Sequence, residues 1–366
     1  MTRLEVDELL RILSDSFDFG RPVVLPDFFV DHFVVYPSYS EFIEGLNRLA
    51  AQGGGNLMET EQFIRRGGNA VNTASALLAL GVSPHLIVKT SRWGKVLMKT
   101  LVHPDLELGH VHTGGRLSHT VSIETTHNQR NVNLMVSDSG AAADFRFSDL
   151  TSEDLECIFT SPLVALVCLN HNRRAPDLAE ELYSAIREHS DALTFMDMGD
   201  PSSNPSIVEP LVERVLLKGL VDVLSANENE ICYFADNLPS SDLDWMNAKN
   251  DQSKWLKAAR LVASECGVRV DLHTPYYSAS VTPSSEISVP AFEVKSQVSC
   301  GAGDAWNAGS IVGTLLGLDP KRRLLLANSV AALYVKSPTT EHPLLSDVIS
   351  FLQNPPPMQE PIRKAT

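Results

Sequence analysis

The residues with the clearest chemistry are Gly301-Ala302-Gly303-Asp304, late in the chain. They open a predicted helix, and their small side chains leave the N–H groups of its positive N-terminus uncovered for an anion. Asp304 could take a proton from a hydroxyl that attacks a phosphoryl group bound there. The pattern therefore predicts phosphoryl transfer to an alcohol, with Gly301, Ala302 and Gly303 as the anion hole and Asp304 as the general base. By itself, it would also fit a glycine-rich turn with an acid that suits the helix dipole.

A second pattern is Gly67-Gly68-Asn69, followed by Asn72. The two glycines let a polyol approach the backbone, and the two asparagines offer donors and acceptors to hydroxyl groups. Alone, the pattern favours a helix that is simply capped by Asn69. Together with Asp31 on the preceding predicted strand, it predicts a cluster that holds a sugar.

The third pattern is Asn227-x-x-Glu230, directly after a predicted strand. On a helix start the two side chains share a face, and Glu230 near a triphosphate would hold Mg²⁺ through water. An asparagine followed three positions later by a glutamate is equally typical of a helix-capping pair.

These patterns need a sheet to position them, and a βα rhythm follows residue 163. The apolar run at residues 163–169 is typical of a parallel strand buried on both faces. The rhythm predicts an α/β fold: a doubly wound, mostly parallel sheet flanked by helices, with a small β-strand lid. Four successive strands end in polar residues, which predicts a cleft at the carboxyl ends of the strands: Asn170, Asp197, Asn227 and His273.

The domain prediction is a single α/β domain over residues 1–366. Lid strands from about 27–66 and 106–136 are inserted in it, and residues 352–366 form a flexible tail. His110 and His112 share one face of a predicted lid strand, but no carboxylate completes a metal-binding spacing, so the pattern favours solvent exposure.

Composition excludes several classes of protein. The net charge is −15 without a basic tract, which argues against nucleic-acid binding, and no apolar run reaches the length of a membrane span. The five cysteines are scattered without a C-x-x-C pair, which predicts a reducing, cytoplasmic location. The nucleotide-binding patterns G-x-G-x-x-G and G-x-x-x-x-G-K-[ST] are absent, so neither a Rossmann oxidoreductase nor a P-loop kinase is expected.

The three patterns, in this order, resemble the ribokinase family, the PfkB carbohydrate kinases, over roughly residues 23–335. The resemblance implies Asp304 as the base, the 301–304 amides as the anion hole and Glu230 as the residue that organises Mg²⁺. It also implies two groups of binding residues: Asp31, Gly67, Gly68, Asn69, Asn72 and Asn170 for the substrate, and Asn227, His273, Thr274 and Asn328 for the nucleotide.

The chain departs from the family pattern in three places. Val298 stands where the family commonly has an Asp of a monovalent-cation site, which leaves potassium activation open. The loop that begins at His273 lacks the usual glycine, so the contact with the nucleotide base is unusual. Asn170 stands where ribose kinases have an acidic sugar ligand, which weakens ribose as the acceptor.

The expected activity is therefore transfer of the γ-phosphoryl group of ATP, with Mg²⁺, to a hydroxyl of a sugar or nucleoside. The alternatives are a phosphosugar kinase, a different nucleotide donor such as ADP or GTP, and a catalytically inert member that acts as a regulator. The resemblance is also compatible with a homodimer formed through the lid.

Overall fold

The computed structural model describes residues 3–15, 19–128, 130–241, 243–249, 251–298, 300–339 and 341–360. In chain order the strands are β1 (Val23–Leu25), β2 (Phe29–Tyr36), β3 (Glu61–Gly67), β4 (His85–Leu86), β5 (Val88–Lys89), β6 (Val111–His112), β7 (Ser118–His127), β8 (Arg130–Asp138), β9 (Leu163–Leu166), β10 (Leu193–Asp197), β11 (Val223–Ala226), β12 (Arg269–His273), β13 (Tyr277–Thr282) and β14 (Ser285–Pro290). No helix in these ranges is long and apolar enough to cross a membrane.

Eight strands form the central sheet, in the order β14-β13-β12-β11-β10-β9-β1-β4. The strands from β12 to β4 run parallel, and β13 and β14 are antiparallel additions at one edge. The parallel strands are buried on both faces, so their alternate side chains enter different cores. Phe195 and Met196 of β10, for example, belong to opposite cores.

Helices cover both faces of this sheet, which confirms the predicted doubly wound, mostly parallel α/β architecture. The helices are α1 (Arg3–Ser14), α2 (Tyr39–Ala51), α3 (Asn69–Ala79), α4 (Arg92–Leu101), α5 (Ser152–Thr160), α6 (Ala175–His189), α7 (Val208–Leu211), α8 (Glu228–Asp236), α9 (Trp245–Ala248), α10 (Gln252–Cys266), α11 (Ala302–Leu315), α12 (Pro320–Lys336) and α13 (Leu345–Gln353). Helices α5 to α10 supply one core, and α1, α3, α4 and α11 to α13 supply the other.

A second sheet has four strands in the order β3-β2-β7-β8, and we call it the lid sheet. Its strands come from residues 29–67 and 118–138, and β5 and β6 form a separate two-stranded pair. Strands β1 and β2 follow one another closely but belong to different sheets. The residues between them, 26–28, therefore join the central sheet to the lid sheet.

The structure differs from the sequence-based expectation in three segments. The second lid segment was expected at about 106–136, but β6 pairs with β5 outside the lid sheet, and the lid strands here are β7 and β8, which end at Asp138. Strand β9 ends at Leu166, not at residue 169, because Cys168 has a φ of +59° and a turn follows it. Two residues of the expected flexible tail make contacts with the rest of the protein: Leu352 is buried in α13, and Met358 forms a β-bridge with Phe292. Residues 361–366 lie outside the described part of the chain.

Candidate active site

A cavity of about 860 Å³ lies at the carboxyl ends of the central strands, beneath the lid sheet. Most of the candidate site residues line it: Asp31, Gly68, Asn69, Asn72, Asn170, Asn227, Glu230, His273, Gly301, Gly303 and Asp304. A neighbouring cavity of about 570 Å³ shares Asn227, His273 and Gly303 with it and also contains Thr274, Ala302 and Asn328. Parallel strands bring their ends to one edge of the sheet, which is why residues so distant in sequence meet here.

The start of α11 forms one wall of the larger cavity. Gly301 precedes the helix with a φ of +85°, a conformation that residues with a Cβ adopt only with strain. A Cβ at this position would also clash with the hydroxyl of Tyr334, which donates a hydrogen bond to the carbonyl of Cys300 at 3.0 Å. Because the first N–H groups of a helix lack partners within it, this terminus can receive an anion.

Asp304 in the first turn of α11 is buried, with 5% of its surface exposed. Its Oδ2 accepts a hydrogen bond from Nδ2 of Asn72 at 3.0 Å. Burial raises the pKa of Asp304 well above its usual range, and the carboxylates of Asp197, Asp27 and Asp31 add to this, while the bond from Asn72 opposes it. A carboxyl group with a raised pKa is a stronger base once it is ionised.

Asp27, in the joint between the two sheets, holds the start of α3. Its carboxylate accepts hydrogen bonds from the N–H groups of Asn69, at 3.1 Å, and Ala70, at 2.7 Å. Asp27, not Asn69, therefore caps the helix, and the side chain of Asn69 is left to line the cavity. Gly68 makes this approach feasible, because its φ is +94° and a Cβ there would lie 3.0 Å from Asp27 Oδ2.

Burial raises the pKa of Asp27 to about 6. Burial also raises the pKa of Asp31, on β2, to about 7, with a further contribution from the Asp27 carboxylate, while a hydrogen bond from Thr120 lowers it. Gly67 faces Asp31 from the next strand, where a Cβ would clash with the carboxylate. Gly67 thus makes room for Asp31 and is not among the residues that line the larger cavity.

Asn227 and Glu230 form the capping pair that was one of the two interpretations of their spacing. Asn227 Oδ1 accepts from the N–H groups of Asn229, at 2.9 Å, and Glu230, at 3.0 Å. Glu230 returns the contact by accepting from the N–H of Asn227 at 3.0 Å. Both side chains also line the larger cavity, so capping and a role in the site are compatible.

Glu230 is one of three potential metal ligands that meet in this cavity. The ligating atoms of Asp197, Glu230 and His273 all lie within 4.8 Å of one another. Burial raises the pKa of both carboxyl groups, and the Asp197 carboxylate raises that of Glu230 further. Two buried carboxylates at this separation favour a proton or a cation between them, and their oxygens suit Mg²⁺.

Three of the expected nucleotide-binding side chains have partners inside the protein. His273 stacks on Trp306 with ring centroids 4.9 Å apart, and burial lowers its pKa to about 4, so the ring is neutral at pH 7. Thr274 holds a turn by donating to the carbonyl of Tyr277 at 2.8 Å. Asn328 accepts from Trp306 Nε1 at 2.9 Å and donates to the carbonyl of Pro290 at 3.2 Å. These groups line the smaller cavity. Thr274 and Asn328 have little polar capacity left over, whereas Nε2 of His273 is buried without a hydrogen-bond partner within the described residues.

The model of the protein family named pfkB family carbohydrate kinase matches residues 46–347 of this chain. This chain belongs to the pfkB family of carbohydrate kinases. No curated protein matches it in a sequence comparison.

Solved structures share the fold of this pfkB-family chain at low sequence identity. Arabidopsis thaliana ribokinase, solved with ribose and ATP, is 18% identical, with a TM-score of 0.66 over 91% of this chain and 98% of that one. Sinorhizobium meliloti adenosine kinase is 19% identical, with a TM-score of 0.65 over 92% and 99%. Escherichia coli phosphofructokinase-2, solved with potassium, is 16% identical, with a TM-score of 0.62 over 91% and 99%. The predicted ribokinase-like fold is thereby confirmed.

Two carboxylates of the pfkB-family cavity had no assigned role in the sequence analysis. Asp197 was noted only as a polar strand end, and the structure adds that its Oδ2 accepts from Nδ2 of Asn307 at 2.6 Å. Asp27 was not singled out, although an acid within a predicted strand is a signal.

Asn170 lies in the cavity, where its Nδ2 donates to the carbonyl of Asp200 at 2.9 Å.

Proposed function

We propose that the chain transfers the γ-phosphoryl group of ATP to a hydroxyl group of a sugar or nucleoside. The observation that carries this proposal is the 3.0 Å hydrogen bond from Asn72 to Asp304. This bond joins the motif that contains Asn69 and Asn72 to the start of α11, within one cavity. An acceptor held by Asn69 and Asn72 would therefore lie beside Asp304, the base. Asp304 would then remove the proton of the acceptor hydroxyl as that oxygen attacks the γ-phosphorus.

The start of α11 would stabilise the transferred group. Negative charge grows on the equatorial oxygens of the phosphoryl group during transfer, and the amides of residues 301–304 are fixed before the reaction begins. Preorganised donors of this kind lose no reorganisation energy at the transition state. The lid sheet above the cavity would exclude water, which otherwise competes with the alcohol as acceptor.

We assign the acceptor end to residues of β2, of the start of α3 and of the segment after β9. Asp31, Asn69, Asn72 and Asn170 would form hydrogen bonds with hydroxyl groups, and Gly68 would permit close approach of the ligand. These side chains offer several donors and acceptors within one cavity, which suits a polyol. Support also comes from the names of two neighbours of the same fold, a ribokinase solved with ribose and ATP and an adenosine kinase.

We assign the nucleotide to the smaller cavity, with Asn227, His273, Thr274 and Asn328 on its walls. The cavity opens towards Gly303 at the start of α11, so a base bound there would direct its phosphates to the proposed anion hole. ADP and GTP remain alternative donors, because Thr274 and Asn328 are engaged inside the protein and leave few side-chain groups to distinguish one base from another.

Mg²⁺ would be held by Glu230 and Asp197, through water or directly. Bound there, the ion would neutralise phosphate charge, which is the chemistry that the family's reaction needs. The oxygens of these two carboxylates fit a hard cation, whereas a ligand nitrogen from His273 would fit Mg²⁺ poorly.

A phosphorylated sugar is the second candidate acceptor. A further cavity of about 520 Å³ is lined by Arg65 and Arg66 and meets the larger one at Asp31 and Asn72. Nε of Arg66 is buried and has no hydrogen-bond partner within the described residues. A phosphate on the acceptor would satisfy this donor.

We also propose a homodimer through the outer face of the lid sheet, with a second copy as the occupant. On β8 the inward side chains Asn133, Met135 and Ser137 line the cavities, so Leu134 and Val136 face outwards. These two are 40% and 65% exposed, and a two-fold axis would cover both patches at once. Light scattering gives the molar mass of the parent and of Val136→Glu in solution, and we expect the parent to be a dimer and the variant a monomer.

A cytoplasmic location stays a prediction.

The experiment that tests the activity measures ADP release with MgATP and a panel of pentoses, hexoses, nucleosides, inositol and sugar phosphates. We expect at least one acceptor to raise the rate by about 100-fold or more over the acceptor-free reaction. If ATP binds but none of the acceptors raises ADP release, the proposed transfer from ATP is overturned. The same panel with GTP and with ADP then distinguishes a different donor from a catalytically inert member.

A further inference from the structure

A second cluster of metal-ligating side chains lies outside the catalytic cavities. One donor atom from each of His85, His110 and Cys157 lies within 4.8 Å of the other two. They come from three separate elements: the edge strand β4, the residue before β6, and helix α5. None of the three lines the larger cavity or its two neighbours.

A buried carboxylate orients the central histidine of this cluster. Asp154, which is completely buried, contacts Nδ1 of His110 through its Oδ1 at 2.7 Å. A ring nitrogen that donates to a carboxylate carries the proton, so the lone pair of His110 is at Nε2. That Nε2 lies 3.4 Å from Sγ of Cys157. In metal sites, a histidine that binds the ion with one ring nitrogen usually donates the N–H of the other to a carboxylate, a carbonyl oxygen or water.

The separation between these two atoms suits a tetrahedral ion. With Zn–N near 2.0–2.1 Å and Zn–S near 2.3 Å, a nitrogen and a sulfur on one zinc ion lie about 3.6 Å apart. The observed 3.4 Å is close to this value. Two imidazoles and a thiolate are borderline to soft ligands, which favour Zn²⁺ over Mg²⁺ or Ca²⁺.

His85 provides a separate reason to expect a ligand. Its Nδ1 is buried without a hydrogen-bond partner within the described residues, and a buried polar atom in that condition is costly. The ring of His85 stands perpendicular to that of His110, with centroids 5.4 Å apart. The two rings therefore meet edge to face and are not stacked on each other, and their donor atoms lie within 4.8 Å of each other.

Acidic groups outnumber basic ones around the cluster. Asp154, Glu107 and Glu156 carry carboxylates there, whereas Arg21 is the nearby cation, and its guanidinium is paired with Glu107 at 2.7 Å. A Cys157 thiolate would add to this negative charge, which a divalent ion would offset.

We propose that His85, His110 and Cys157 bind a zinc ion, with Asp154 as the positioning residue behind His110 and water as the fourth ligand. On binding, the Cys157 thiol loses its proton to solvent and its sulfur donates an electron pair to the metal, with no change of oxidation state. The ion ties β4, the segment before β6 and α5 together, and so stabilises the fold at a distance from the chemistry.

The sequence analysis favoured solvent exposure for His110 and His112 because no carboxylate completed a local spacing. The structure overturns that interpretation: the carboxylate is Asp154, more than 40 positions away, and it contacts both histidines at 2.7 Å. His112 contacts the other oxygen of Asp154 and is not one of the three convergent ligands.

The test uses the purified full-length chain after removal of metal by a chelator. Titration with Co²⁺ should produce a thiolate-to-cobalt charge-transfer band, and calorimetry with Zn²⁺ should give one site per chain. Cys157→Ser should abolish the band, and both Cys157→Ser and His85→Asn should weaken Zn²⁺ binding by about 100-fold or more. Zn²⁺ should raise the Tm of the parent but not that of either variant.

Two control variants separate this site from adventitious binding. Cys300→Ser removes the exposed cysteine, and His119→Asn removes an exposed histidine outside the cluster. Both should bind Zn²⁺ within about threefold of the parent. A parent chain that binds less than one Zn²⁺ per five chains would overturn the proposal, as would a charge-transfer band that survives Cys157→Ser but is lost in Cys300→Ser. Circular dichroism checks that each variant is folded. If Cys157→Ser does not fold, the Zn²⁺ affinity and Tm of His85→Asn are used to test the proposal.

Discussion

The side-chain amide of Asn72 donates a hydrogen bond to the carboxylate of Asp304 across 3.0 Å, although 232 positions separate the two residues. Asn72 lies on α3, which Asp27 caps, and Asp304 lies in the first turn of α11. The two helix starts thus face each other over one cavity. The relationship defines where an acceptor hydroxyl and a base can meet, and the predictions below follow from it and from the groups around it.

Asp304→Asn should lower kcat by about 1,000-fold or more while nucleotide still binds. The amide cannot accept the proton of the acceptor hydroxyl, but it keeps the size of the carboxyl group and its contact with Asn72. ADP release gives kcat, and calorimetry gives the Kd for ATP, expected within about threefold of the parent. Turnover within about tenfold of the parent would show that Asp304 is not the base.

Asn72→Ala should move the acidic limb of the pH profile of kcat/KM to higher pH. The hydrogen bond from Asn72 lowers the pKa of Asp304, so its loss raises that pKa, and a higher pH is needed to ionise the base. Asn69→Ala is the matched control, because Asn69 lines the same cavity and its bond to Asp27 is made by the backbone. This control should weaken acceptor binding and leave the limb in place. If both variants shift it equally, Asn72 does not act through Asp304.

Acceptor affinity should increase as the pH rises through about 7. Burial raises the pKa of Asp31 to about 7, so below that value the carboxyl is protonated and above it the carboxylate can accept hydrogen bonds from hydroxyl groups. Calorimetric titration with the acceptor at pH 6 and pH 8, without nucleotide, measures the effect. Asp31→Asn should bind more weakly at pH 8 and lose the pH dependence. The same dependence in that variant would assign it to another group.

Gly301→Ala should reduce kcat strongly, whereas Gly317→Ala should not. Both glycines have positive φ, +85° and +64°, so each alanine costs about 1–2 kcal/mol of stability through backbone strain. Only at Gly301 does the added Cβ meet another group, the Tyr334 hydroxyl, while nothing lies within 4 Å at Gly317. Chemical unfolding measures the loss of stability that the two variants share, and ADP release measures the difference between their kcat values. Equal loss of activity in both would mean that the geometry of this helix start is not what matters.

The sequence was most informative where one local segment supplies both the conformation and the chemistry. Gly301 to Asp304 can be recognised as a helix start with an acid because glycine conformation and helix termini are properties of a few consecutive residues. The spacing of Asn227 and Glu230 was equally local, and the capping pair is present. The alternation of strands and helices likewise predicted the doubly wound fold, since burial on both faces leaves a continuous apolar run.

Long-range placement was beyond the sequence. Asp27 caps a helix that begins 42 positions later, and the spacing of residues contains no sign of that contact. Similarly, His110 and His112 contact Asp154 only because helix α5 packs beside the segment that contains them. Helix and strand periods report on neighbours along the chain, whereas these contacts depend on how elements pack.

The sequence by itself determined the family of the chain and the types of residue at its candidate site, because each motif is a short run whose chemistry is independent of distant partners. The tertiary structure alone decided which side chains face the cavity and which are used up inside the protein. Trp306 and Pro290 occupy the polar atoms of Asn328, while the capping of α3 by Asp27 leaves Asn69 free to line the cavity. Each hydrogen-bonding group has few partners, and folding decides which of them come within reach.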